Sequence, residues 1–154
     1  MARTLEDLAA LDFEALSDLY RKAKFPGKVE GDCKGRMLAT NPDSHMSSLW
    51  KALEGVAGES WFPWQGKSFE DGAGINRITR LQLKLFKFQT RKEPSLEDGK
   101  PALLLDYDQP GNPFVIRRVR DEVRQVAPGL LLGQMYVVTT EPRLTLYFGL
   151  ELPE

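Results

Sequence analysis

Residues 31–35 read GDCKG, and residues 64–69 read WQGKSF. Both stretches set glycine beside lysine inside segments that otherwise read as strands. Glycine weakens a strand, so in a strand it marks a bulge, a sharp bend or a close approach of another backbone. A phosphate loop is the rival reading. That loop needs G-x-x-x-x-G-K-[ST] opening a helix. Here Trp61 stands where the first glycine belongs, and the chain after Ser68 continues in strand-like sequence. Gly31, Gly35 and Gly66 therefore read as corners of a strongly bent sheet.

The flanking sequence supports a closed sheet. Residues 75–91, INRITRLQLKLFKFQTR, alternate apolar and polar until Phe86 and Phe88, where the apolar phase slips by one. Such a slip predicts a bulge or a strand buried on both faces. PALLLDYD (101–108), LLLGQMYVVT (130–139) and RLTLYFGLEL (143–152) read as further strands. About six closely spaced strands suit an antiparallel meander, and closure would remove its exposed edges.

Helical periodicity marks residues 4–24, through Leu5, Leu8, Phe13, Leu16, Leu19 and Tyr20. Thr4 is a candidate N-cap with Asp7 in the first turn, and Asp12 is a candidate cap for a second helix. A helix is expected across Met46, Leu49, Trp50, Leu53 and Val56. Another is expected after Asn112-Pro113, from Ile116, Val119, Val123 and Val126, with Arg117–Asp121 and Arg118–Glu122 paired on its solvent side.

The chain has 154 residues, one cysteine, one histidine, a net charge of −1 and a pI near 5.9. One domain over 1–154 is expected, with a helical segment at 1–25. The charge balance argues against nucleic acid as the main partner. A single cysteine allows no internal disulfide. No apolar run reaches the ~20 residues that span a bilayer as a helix, so the expected location is cytoplasmic. His45 lies in a polar turn, without the neighbours a metal site or a catalytic triad requires, so no metal and no cofactor is expected. Cys33 reads as a small buried hydrophobe rather than a reactive thiol.

Candidate chemistry concentrates in a pocket inside the barrel. Small barrels hold either packed side chains or one ligand. Trp61, Phe62, Trp64, Phe69, Phe86, Phe88, Met135, Tyr136, Tyr147 and Phe148 are candidates for core or pocket wall. Lys67, Asp106 and Asp108 are the candidate polar or catalytic groups, and Asp121 with Glu122, set among Arg117, Arg118, Arg120 and Arg124, is a further acid-base candidate pair. Asp106 follows three leucines, so it either faces inward with a cationic partner or begins a turn. The arginine-rich stretch 117–124 reads mainly as a solvated face.

Three stretches also resemble a bacterial family named for a G-x-W-x-G motif. They are EGDCKGRML (Gly31 and Gly35), WQGKSF (Trp64, Gly66, Lys67 and Phe69), and the run from Tyr107, Asp108 and Pro110 to Leu132, Gly133 and Met135. Cys33 replaces the motif tryptophan. The resemblance implies a lipocalin-like barrel and adds Tyr107 to the pocket candidates. The expected fold is thus α+β and mainly β, an antiparallel lipocalin-like barrel with a helix across one end. The leading functional expectation is binding of a small, mostly apolar molecule. The alternatives are a cofactor-free isomerase, cyclase or lyase using an inward carboxylate and a cation, and a non-catalytic module docking an acidic partner through its arginines.

Overall fold

The computed structural model describes residues 2–43, 64–78 and 83–154. Two helices, α1 (Leu5–Ala9) and α2 (Phe13–Lys22), precede eight strands. The strands are β1 (Gly31–Thr40), β2 (Trp64–Glu70), β3 (Ala73–Ile78), β4 (Leu83–Pro94), β5 (Pro101–Asp106), β6 (Val119–Ala127), β7 (Leu130–Val138) and β8 (Pro142–Glu151). Each pairs antiparallel with its sequence neighbours, and β1 pairs with β8 to close the barrel. The expected mainly β barrel is therefore present.

The helix starts follow their caps. Thr4 accepts from the Asp7 amide, and the Asp7 carboxylate accepts from the Thr4 amide, a reciprocal capping box. Asp12 caps α2 through the Ala15 amide. Leu5, Leu8, Leu16 and Tyr20 pack on Leu130, Leu132 and Tyr147, which face outward from β7 and β8. Those outward residues are apolar and offer the surface that an amphipathic helix buries.

The expected helix after Asn112-Pro113 does not form. Only a 3-10 turn, Ile116–Arg118, precedes β6. Val119, Val123 and Val126 suit either period, and the long-range pairing decides. Both backbone edges of β6 are taken, by β5 and by β7. β-Branched valines fit a pleated surface well, and tertiary contacts override a weak helical preference. Arg117 consequently pairs with Asp108, at 2.7 Å, not with Asp121. The expected helix around Met46–Val56, together with His45, Trp61 and Phe62, lies outside the described residues.

Two buried groups of side chains result. The interior holds Cys33, Phe69, Phe88, Leu105, Val123, Leu131, Phe148 and Leu150. The second group lies between the wall and the helices, where Arg124 is almost fully buried and fully engaged. Its guanidinium makes two bonds to Asp98, at 2.7 and 2.9 Å, and donates to the carbonyls of Tyr20, Lys100 and Pro101. A buried charge needs this kind of complete pairing.

Of the glycines of the opening stretches, Gly66 sits at a break in the sheet register, and Gly35 allows the close approach of Trp64 and Gly66. Gly66 has φ of +139°, a region open to glycine and closed to most other residues, and it sits against the Cys33 carbonyl. The β2–β3 register shifts between Trp64 and Gly66. The shift places Trp64 and Lys67 on the same inner side, although they lie an odd three positions apart.

Candidate functional site

Near the barrel end where β1, β3, β5 and β7 finish, the interior is not filled. A cavity of about 80 Å³ is lined by Met37, Trp64, Ile116, Val119, Met135, Leu146 and other residues named below. An empty apolar cavity of about 150 Å³ accepts benzene, and water takes about 30 Å³ in the liquid. This cavity therefore suits a few waters or a molecule of several heavy atoms.

A polar cluster forms its floor. Lys67 reaches in from β2, Asn76 from β3 and Asp121 from β6, with Tyr107 just beyond β5. Lys67 Nζ lies 3.1 Å from Asp121 Oδ2 and 2.7 Å from Asn76 Oδ1, and it also donates to the Tyr107 hydroxyl. Each ammonium hydrogen thus has an acceptor. The rings of Trp64, Phe88, Tyr107 and Phe148 surround Nζ at 5.0–5.4 Å from their centroids. Their negative faces favour a cation there.

Asn76 is held in turn. Its Nδ2 donates to the Phe86 carbonyl at 3.0 Å and to the Tyr107 hydroxyl at 2.9 Å, while Trp64 Nε1 donates to its Oδ1 at 3.0 Å. The Phe86 carbonyl is available because of the expected phase slip. Phe86 sits at φ of +62°, and the β3–β4 register shifts between Ile75 and Asn76. This bulge turns Phe86 into the cavity and leaves Phe88 facing the interior as well.

Burial sets the electrostatics. Lys67 and Asp121 have side-chain exposures of 5% and 4%. Loss of water pushes the Lys67 ammonium below the usual lysine range, and the neighbouring Asp121 charge opposes this only in part. The same loss pushes the Asp121 carboxyl above the usual carboxylate range, against the pull of Lys67. Tyr107 is raised well above an ordinary phenol, first by burial and then by the Asp121 charge. Moving one proton across 3.1 Å would turn the ion pair into an amine and a carboxylic acid without changing the net charge of the cavity. Asp121 Oδ1 is buried and has no hydrogen-bond partner among the described residues.

The candidates named from sequence divide clearly. Lys67, Trp64, Phe86, Tyr107 and Met135 line the cavity. Phe69 and Phe88 pack deeper, edge to face at 5.2 Å. Tyr136 faces outward under the helices, where its hydroxyl donates to Gln134 Oε1 at 2.8 Å. Asp106 is half-buried on the outside of the barrel and meets Arg91 at 2.9 Å. Asp108 is exposed and meets Arg117. The carboxylate that faces inward is Asp121. Sequence reading counts it among the acid-base candidates but sets it on a solvent face, through a helical period. Read as a strand, Val119, Asp121 and Val123 alternate, so a carboxylate lies in an otherwise apolar row. Asn76 gives only a weak signal, as a polar residue beside Arg77 in the strand Ala73–Ile78.

Cys33 is fully buried, and burial pushes its thiol up to about 11. At neutral pH its thiolate is scarce. Native protein is expected to react with iodoacetamide on the order of a hundredfold more slowly than an unfolded control. Equal rates in the two states would contradict this placement. Among the described residues no group of three His, Cys, Asp or Glu side chains could hold a metal ion. No helix among them is long and apolar enough to cross a membrane.

No family model matches the chain, and no curated protein matches it. Among solved structures, a crystal structure of a protein from Thermomonospora curvata is similar, with a TM-score of 0.55 and 16% identity. The match covers 94% of this chain and 89% of that one. At this identity the likeness concerns the fold.

Proposed function

We propose that the protein binds a small, mostly apolar molecule carrying one polar group, with that group seated on Lys67 and Asp121. The unpartnered Asp121 Oδ1 carries this reading, because a buried acceptor without a donor costs free energy that a ligand O–H or N–H would recover. The ligand group must itself be a donor, because the three Lys67 ammonium hydrogens are already engaged. Trp64, Phe86, Met135 and Leu146 would hold the apolar part. The resemblance to the G-x-W-x-G proteins implies a lipocalin-like barrel and no settled activity.

The test is a thermal shift with 1-butanol, butanone and butyric acid, alongside native mass spectrometry of freshly purified protein. At least one probe, or a co-purified adduct, is expected to bind. A ligand at a hundred times its Kd adds about 2.7 kcal/mol of stability. The gain should vanish in Met135→Trp, which fills the cavity. No shift with any probe and no adduct would contradict the proposal.

A second reading is favoured by the close approach of carboxylate and ammonium in one cavity. In a cofactor-free isomerase, cyclase or lyase, Asp121 would act as general base and Lys67 would stabilise developing negative charge. Asp106 and Asp108, bound to arginines outside the barrel, are poorly placed for that role. Turnover of an identified substrate would then be lost in Asp121→Asn and kept in Asp106→Asn.

A further inference from the structure

We propose that Lys67 forms an imine with a small aldehyde or ketone admitted to the cavity, an inference that rests on the ligand-binding reading above. Lys67 is a primary amine at the wall of an apolar cavity. A carboxyl that can accept its proton lies 3.1 Å away. A second oxygen of that carboxyl is unpartnered. Amines desolvated in an apolar pocket are good nucleophiles toward carbonyl carbon.

The step balances without any further reactant. The Lys67 ammonium gives one proton to Asp121, and the freed lone pair attacks the carbonyl carbon while the carbonyl π pair moves to oxygen. Asp121 returns its proton to that oxygen, and the nitrogen of the adduct loses its own extra proton to the carboxylate. The product is a neutral carbinolamine. Asp121 then protonates the hydroxyl, the C–O bond breaks, and water leaves as the nitrogen lone pair forms the C=N bond. The iminium cation remains beside the Asp121 carboxylate, inside the same ring of Trp64, Phe88, Tyr107 and Phe148 that surrounds the ammonium. The cation that the site already accommodates is thus replaced by another of the same charge. Tyr107 and Asn76 would position the nitrogen, since both hydrogen-bond it in the resting state.

The probe is butanal with cyanoborohydride at neutral pH, followed by peptide mass mapping of the intact wild-type chain. Surface lysines will also be alkylated, so the readout is relative rate. Lys67 is expected to gain a butyl group several-fold faster than any surface lysine, because burial keeps more of its amine uncharged and the cavity holds the carbonyl beside it. Excess 1-butanol, which fits the same space and cannot form an imine, should slow Lys67 alone. Alkylation confined to surface lysines, or Lys67 alkylation that butanol does not slow, would overturn the proposal. Because the mapping uses unaltered protein, a Lys67→Met variant that fails to fold costs the test nothing. The two readings fail separately: butanol that raises Tm without butanal labelling at Lys67 leaves ligand binding intact and removes the imine.

Discussion

Replacing Asp121 by leucine is expected to destabilise the protein by about 3–5 kcal/mol at neutral pH, the usual cost of breaking a buried ion pair from one side. Lys67→Met should cost a similar amount. The double variant should recover most of the loss, because it removes both buried charges and replaces them with apolar volume. The two single variants should respond to pH in opposite directions. In Lys67→Met the lone Asp121 has a folded pKa raised above its unfolded value of about 3.9. Its favourable contribution is fully present below that value and is lost as pH rises through the folded pKa, so acid relieves this variant. In Asp121→Leu the lone Lys67 has a folded pKa depressed below its unfolded value of about 10.4. Here the unfolded chain binds the extra proton, so stability rises with pH and alkali relieves the variant. Urea unfolding across pH measures both. Parallel pH responses, or a double variant no better than the singles, would contradict the pairing of Lys67 with Asp121.

Gly66→Ala is expected to cost about 3–4 kcal/mol, adding backbone strain to overpacking. At φ of +139° an alanine is strained whatever the space around it, and its Cβ would fall on the Cys33 carbonyl oxygen and close to the Gly35 amide. Neither is the end of a flexible side chain, so neither moves cheaply. Gly99→Ala is the matched control. Gly99 has φ of +76° with nothing within 4 Å of a built Cβ, so only the strain remains, roughly 1 kcal/mol. Comparable losses in the two variants, measured by denaturant midpoint, would mean that β1 and β2 do not approach as closely at Gly66 as described.

These two variants also mark where sequence reading succeeded and failed. Gly66 announced itself, because a glycine between Gln65 and Lys67 has few explanations in a strand other than a bend. Phe86 and Phe88 announced the bulge through their broken alternation. Both signals are local, and both survive into the structure. The inward carboxylate was different. Val119, Val123 and Val126 stand at spacings that satisfy a helix, and Asn112-Pro113 supplied a plausible start. What decided otherwise was hydrogen bonding to β5 and β7, which lie close in space and leave no mark on the sequence of 119–127 itself. With the wrong period, Asp121 pointed to solvent, and the inward role fell to Asp106 and Asp108. Tyr136 failed for a related reason. Alternation from Met135 puts it on the opposite face, where it is buried and its hydroxyl bonds Gln134.

The most direct test of the buried amine is a pH titration of the lysine Cε–Hε signals in protein labelled with carbon-13 lysine, with the Lys67 signal identified by its loss in Lys67→Met. The account predicts that Lys67 titrates below every surface lysine, since burial outweighs its pairing with Asp121. It also predicts that saturating 1-butanol shifts the Lys67 signal and no other. A Lys67 signal that titrates with the surface lysines and ignores the probe would contradict a desolvated amine facing a cavity that admits ligands.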